Sequence, residues 1–269
     1  MNDLDHTDLL ARYDEQLRAL VPDPLPKGLH VEYDGPLVRF IGHGGGGGIG
    51  YRHLAGIDGV ELDELIARQV RVFADRGEAF EWKLHGHDRP ADLPERLLAH
   101  GFVPDDLETV VIAPVAEIAG DVSLPDIVSL HEVSERADFD RIGAMEEAVW
   151  QDARSGWLAD SLEAEHAADP HAITIVVAEA DGDVVCAGWV RFAAGTDFAT
   201  LWGGGTHPGW RRRGIYRALV TYRANLAEER GFRYLQVDAS SESRPILQRL
   251  GFIAVTTTTP YIWSPPHDR

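Results

Sequence analysis

Arg211, Arg212 and Arg213 stand directly before Gly214 in the run Thr206-His207-Pro208-Gly209-Trp210-Arg211-Arg212-Arg213-Gly214-Ile215-Tyr216-Arg217-Ala218-Leu219. The run joins a strand-like stretch, Asp197 to Thr206, to a helical pattern with Ile215, Leu219, Tyr222 and Leu226 on one face. A helix start leaves backbone N–H groups unpaired and carries partial positive charge, so it attracts phosphate. Gly214 lets a pyrophosphate approach the backbone, and the arginines add cations to a chain of formal net charge -19. A CoA pyrophosphate is a chemically sensible occupant. Just upstream, Gly203 to Gly205 suit a bulged strand approached closely by a ligand, or else a flexible strand end.

These residues resemble motif A of the GCN5-related N-acetyltransferases, the GNAT superfamily, whose loop reads R/Q-x-x-G-x-G/A after a strand. Arg211 matches the first position and Gly214 the glycine, while Tyr216 replaces the usual small residue. Pro208 and Leu219 also fall where the family has them, and Gln248-Arg249-Leu250-Gly251-Phe252 is similar to the family's helix-to-strand ending. The resemblance covers residues 122 to 263, just over half of the chain.

The resemblance implies acetyl-CoA as co-substrate, held by Gly204, Gly205, Thr206, Arg211, Arg212, Arg213, Gly214, Ile215 and Tyr216. Backbone groups from Trp202 to Thr206 would align the pantetheine, and an N–H near Gly204 or Gly205 would polarise the thioester carbonyl. An acceptor amine attacks that carbonyl directly. Most of the catalysis is then positioning of two reactants, with a general base to take the proton of the acceptor ammonium. Glu146 and Glu147, Asp197 and Asp238 are the candidates, each weighed against a role as a solvated surface carboxylate. Many family members place a tyrosine general acid a few residues before the Gly-Phe pair. Leu247 stands there, which leaves Tyr216, Ser240 or solvent to protonate the thiolate.

The elements that must position these groups follow from periodicity. Ile127 to Val133 reads as a strand, and Phe139, Ile142, Met145 and Val149 as one helix face. Trp157, Leu158 and Leu162 mark a second helix. Ile173 to Ala180 and Val184 to Phe192 form a hairpin around Asp181-Gly182-Asp183. After the helix that follows Gly214 come a strand at Tyr234 to Val237, a short helix at Arg244 to Leu250, and a last β run from Phe252 to Trp263. The plan is α/β, with an antiparallel middle and a βαβ end.

The first half echoes the second. Leu62, Leu65, Ile66, Val70 and Phe73 mark a helix, Ala79 to Leu84 a strand and Leu93 to Leu98 another helix. Pro94 to Phe102, PERLLAHGF, resembles Pro245 to Phe252, PILQRLGF, as in an internal duplication. With a proline-bounded stretch from Pro114 to Pro125, this gives two tandem GNAT-like domains, each a mixed, mostly antiparallel sheet flanked by helices. The boundaries are 1–115, a degenerate domain without the R-x-x-G loop; 116–125, a linker; and 126–269, the catalytic domain.

Composition narrows the function classes. A chain of 269 residues that is 44% hydrophobic has ample material for a core. Its negative charge argues against nucleic-acid or anionic-membrane binding, and either suits a cationic acceptor or merely supports solubility. The one cysteine, Cys186, sits in an apolar run and excludes a disulfide framework within one chain. The first residues have neither the basic start nor the apolar core of a signal peptide, and no run of 18 apolar residues occurs, so a cytoplasmic protein is expected.

Three further signals have plain alternatives. His43 to Tyr51, HGGGGGIGY, lacks the Lys-Ser/Thr of a P-loop and reads as a flexible hairpin between Leu37–Ile41 and Ile49–Leu54. His85-x-His87-Asp88 lacks a third ligand at zinc spacing and reads as a polar turn; no metal is expected. Trp150, Trp157, Trp189 and Trp202 either wall an acceptor site or pack the core. The expected activity is acetyl transfer from acetyl-CoA to a primary amine, on a small molecule or a peptide, by a monomer or homodimer. The alternative is a non-catalytic acyl-CoA-binding regulatory or scaffold protein.

Overall fold

β-branched, alternating runs set most of the strands, and glycines mark where helices hand over to them. The computed structural model describes residues 6–43, 46–150 and 155–266. In chain order the elements are α1 (His6–Gln16), β1 (His30–Asp34), β2 (Leu37–His43), β3 (Gly46–Gly50), α2 (Gly59–Arg76), β4 (Phe80–His85), α3 (Leu93–Ala99), β5 (Val103–Pro104), β6 (Glu108–Pro114) and α4 (Val115–Ile118). The second half continues with β7 (Ser129–Val133), α5 (Arg136–Trp150), α6 (Ser155–Ala168), β8 (Ile173–Ala180), β9 (Asp183–Phe192), β10 (Phe198–Thr206), α7 (Ile215–Glu229), β11 (Tyr234–Ala239), α8 (Arg244–Leu250) and β12 (Ile253–Trp263).

One expected strand is displaced. The pattern Ile49–Leu54 suggests a β run, yet β3 lies mostly on the glycines themselves, from Gly46 to Gly50. Packing explains the shift: a Cβ on Gly47 would stand 2.1 Å from the Phe73 ring, and one on Gly46 would stand 2.9 Å from the Ala79 carbonyl oxygen. Only a strand without side chains passes so close to α2 and the start of β4.

The two halves repeat one course. β3 and β4 are parallel and joined through α2, as β10 and β11 are parallel and joined through α7. α3 and α8 end alike: Gly101 has φ 88° and Gly251 φ 113°, and the next amide, of Phe102 or Phe252, donates to Leu97 or Leu247 at 3.1 Å in both. A left-handed residue there reverses the chain, which only glycine does without steric cost. Leu97, Leu247, Phe102 and Phe252 are all buried.

The strands nevertheless form a single sheet, in the order β1-β2-β3-β4-β12-β6-β11-β10-β9-β8-β7, with β5 beside β12. β6, from the first half, lies between β11 and β12 of the second, and β12 in turn lies between β6 and β4. Each half thus completes its sheet with a strand of the other. Alternation sorts the side chains. On one face Val110, Ile112, Phe198 and Tyr234 pack under Leu9 and Tyr13 of α1, and α5 and α6 cover Ala187 and Trp189. On the other face Val111, Leu201, Leu235 and Val237 pack against Val220 and Ala224 of α7 and Leu247 of α8.

Candidate active site

β10 and β11 pair only from Phe198–Tyr234 to Thr200–Gln236, and beyond that level the two strands part. β11 stays bonded to β6 as far as Ala239, while β10 stays bonded to β9 through a register shift between Gly203 and Gly205. The result is an opening through the sheet. Each glycine at its edge excludes a Cβ for a different reason. On Gly203 it would stand 2.6 Å from the Trp189 ring, on Gly204 2.6 Å from the Tyr216 ring, and on Gly205 2.5 Å from Glu146 Oε1. Gly203 (φ 67°) and Gly204 (φ 95°) also have left-handed backbone. Sequence reasoning found this bulge from the glycine run but could not name what presses on it.

The register shift between β10 and β9 turns the Trp202 carbonyl toward Gly188 of β9, where a Cβ would stand 3.0 Å from it. Arg223 of α7 answers it: its guanidinium donates to the carbonyls of Trp202 at 2.8 Å and Trp189 at 3.1 Å, and its Nε donates to Leu219 at 3.1 Å. The side chain is 1% exposed, and burial lowers its pKa. A buried guanidinium held by carbonyls is an element of the site that the sequence reading missed. Its clue was an arginine on an otherwise apolar helix face.

On the α7 side, a 3-10 turn at Pro208–Trp210 carries the chain from β10 into the arginine run. His207 accepts from the Gly209 amide at 3.3 Å, and Arg211 Nε donates to the Thr206 carbonyl at 3.1 Å. Arg213 donates to Gly209 at 3.3 Å and lies over the Trp210 ring at 4.7 Å. Arg212 has φ 61° and Gly214, the N-cap of α7, φ 82°. The three arginines are exposed and the first turn of α7 has no acid, so the amides of this helix start face a cationic rim. The matching start of α2 carries Asp58 at its N-cap and Glu61 in its first turn, which repel an anion.

Tyr216 leaves that first turn and lays its ring beside Gly204, packed against the Leu247 cluster with its hydroxyl beside Ser243. Burial raises the phenol's pKa, so it holds its proton. Ser240 Oγ is 3.2 Å from Ser243 Oγ. Thr206 donates to Cys186 Sγ at 3.2 Å.

The opposite face presents different chemistry. Glu146 reaches the bulge from α5, and Glu147 points outward. Asp238, at the edge of the opening, accepts from Lys83 Nζ at 2.7 Å and Gln236 Nε2 at 2.8 Å. Burial pulls the Lys83 ammonium down, but Asp238, Glu81 and Glu108 outweigh it and hold it charged. Trp202 is 39% exposed; Arg191, paired with Glu165 at 2.6 Å, lies over its ring at 4.6 Å. Asp197 stands at the far end of β10, held by Arg12 and Gln16, both at 3.2 Å. Trp189 is buried and Trp157 exposed; the side chain of Trp150 lies outside the described residues.

His85 and His87 are engaged elsewhere. Tyr13 meets His85 at 2.9 Å, and Asp14 and Thr256 meet His87 at 3.0 and 2.8 Å, tying α1 to β4 and β12. Among the described residues no group of three or more His, Cys, Asp or Glu is placed to hold a metal, and no helix is long and apolar enough to cross a membrane.

Residues 142–252, which span the opening, the arginine turn and the Gly251-Phe252 ending, match the sequence model of the acetyltransferase (GNAT) family. This part of the chain is a GNAT domain. No curated protein matches the chain. Among solved structures, the chain is similar to a GCN5-related N-acetyltransferase from Kribbella flavida, at 15% identity over 98% of this chain and 96% of that one, with TM-score 0.68. It is also similar to a tandem GNAT protein from the clavulanic acid biosynthesis pathway, at 13% identity over 99% and 97% of the chains, TM-score 0.62. A conserved protein of unknown function from Staphylococcus epidermidis is 13% identical over 91% and 97%, TM-score 0.67. At such identities the likeness shows the fold, and that fold is the tandem GNAT arrangement.

Proposed function

We propose that the protein transfers an acetyl group from acetyl-CoA to a primary amine, and that the transfer takes place in the opening between β10 and β11. The observation that carries this reading is the alignment of that opening with a cationic helix start on one face and a carboxylate-lined, aromatic surface on the other. The pyrophosphate is held by the N-terminus of α7, through the amides near Gly214 and Ile215 and the side chains of Arg211, Arg212 and Arg213. The pantetheine follows β10 through Gly204, Gly205 and Thr206, and a backbone N–H at the bulge polarises the thioester carbonyl.

The acceptor enters from the α5–α6 face. Glu146 orients its amine at Gly205, and the Lys83–Asp238 pair fixes the charge at the edge of the opening. The neutral amine nitrogen bonds to the thioester carbon, the carbon–sulfur bond breaks, and the departing thiolate takes a proton from Tyr216 or solvent, which recovers one from the nitrogen as the amide forms. Residues 126–269 act as the catalytic unit, residues 116–125 as a linker, and residues 1–115 as a domain whose α2 start repels phosphate.

Calorimetry with acetyl-CoA, followed by thiol release with an amine panel, tests the reading. Micromolar binding and amine-dependent release are expected. Binding without release from any amine would favour the second reading, a non-catalytic acyl-CoA-binding module. That reading is favoured by one observation: buried Leu247 stands where the resemblance places a tyrosine acid.

A further inference from the structure

β6 belongs to the first half of the chain, yet it pairs along the whole of β11, the strand that forms one edge of the opening. Val110 pairs with Asp238 and Thr109 with Ala239, which sets Glu108 one step further along, level with Ser240 just beyond the end of β11. Alternation puts the Glu108 side chain on the face of Val110 and Asp238, the acceptor side, away from the phosphate turn.

The surroundings of Glu108 are unusual for a carboxylate. It is half-buried, and among the described residues its carboxylate makes neither a hydrogen bond nor an ion pair. Lys83 is the cation that acts most strongly on it, and Asp238 already holds that ammonium at 2.7 Å. The other charged groups turned toward it are Asp238 from β11, Glu81 from β4 and Asp105 from the loop before β6. From α1, Tyr13 joins the same field through Asp238 and Lys83.

Resting on the acetyl-transfer reading above, we infer that Glu108 is the catalytic base, taking the proton of the acceptor ammonium directly or through one water. The first half of the chain thus contributes a reacting group to the GNAT domain's opening. In the balanced step one ammonium N–H bond breaks and its proton goes to a Glu108 oxygen, and the freed nitrogen lone pair forms the C–N bond. As the C–S bond breaks, the nitrogen gives up a second proton, which reaches the departing thiolate through Tyr216 or solvent to leave the amide and free CoA thiol. Burial, only partly offset by Lys83 and reinforced by the neighbouring acids, moves the Glu108 carboxyl up to about 7. A base of that strength is half-ionised near neutral pH, where proton transfer is most effective.

The test measures kcat/KM between pH 5.5 and 9 for the whole chain, by thiol release from acetyl-CoA with spermidine, kanamycin and a lysine-containing peptide. Wild type, Glu108→Gln and Glu146→Gln are compared, with acetyl-CoA affinity by calorimetry as the control on folding. Glu108→Gln is expected to lose about 100-fold at pH 8, to lose the limb that rises through pH 7, and to bind acetyl-CoA as wild type does. Glu146→Gln should keep that limb and raise KM for the amine. A limb near pH 7 that survives in Glu108→Gln overturns the inference while leaving acetyl transfer standing. No release by wild type with any of the three amines overturns the transfer reading, and the role of Glu108 with it.

Discussion

The Arg223 guanidinium donates to the Trp202 carbonyl at 2.8 Å, at the level where β10 leaves β11. The same guanidinium donates to the Trp189 carbonyl at 3.1 Å, so the bulge between β10 and β9, at the edge of the opening, is held by a buried cation. Arg223→Met keeps the apolar stem and removes the donors, stranding the carbonyls of Trp189 and Trp202. A loss of about 3 kcal/mol is expected from denaturant unfolding, since a buried polar group left unpaired costs on the order of 1–3 kcal/mol.

Gly205 and Glu146 compete for one space. Gly205 has no positive φ, and the three atoms nearest the carbon added by Gly205→Ala all belong to the Glu146 carboxyl group, the closest at 2.5 Å. The substitution should cost about 1–3 kcal/mol. In a Glu146→Ala background most of that cost should vanish, giving a large coupling in a double-mutant cycle of thermal or denaturant stability.

Arg212 separates binding from stability. Its φ of 61° is one that a side chain resists and glycine does not. Arg212→Gly should therefore raise unfolding stability by about 1 kcal/mol. It should also weaken acetyl-CoA binding by several-fold in calorimetry, because a cation is lost from the phosphate rim.

Cys186 is expected to be inert. Burial pushes its thiol up to about 11, against smaller opposing effects of Thr206 and Arg223. Thiolate, the reactive form, is scarce below that value and grows as pH rises toward it. At pH 8 alkylation by iodoacetamide should follow the unfolding rate, and in 6 M guanidinium it should become rapid.

Exchange of β6 and β12 predicts that residues 126–269 do not fold alone. Without β6 the edges of β11 and β12 face solvent, which favours aggregation. Expressed alone, the fragment should be insoluble or associate through those edges; co-expression with residues 1–125 should give a soluble 1:1 complex by light scattering.

The elements were largely legible because they rest on local signals. Gly231 and Gly251 announced helix ends, and Asp181-Gly182 a hairpin, since turn chemistry is written in the turn itself. The glycine run at 203–205 and the arginine turn were legible for the same reason. The carboxylates were not. Glu108, Asp197 and Asp238 look alike along the chain, and only the pairing of β6 with β11 and of α1 with β10 tells which one stands at the opening and which is tied up at the other end. β3 was misplaced because its glycines follow from Phe73, far along the chain, rather than from their own propensity.

The course of β12 also bears on how the chain acquires its shape during synthesis. The sheet of the first half is incomplete until residues 253–263 arrive to pair with β4, more than 160 positions after that strand. A growing chain that carries all of residues 1–115 still has an open sheet edge beside β4. Folding in order of emergence from the ribosome, one half and then the next, therefore leaves the edge of β4 open until residues 253–263 have emerged, and the first half reaches its final form only with the second.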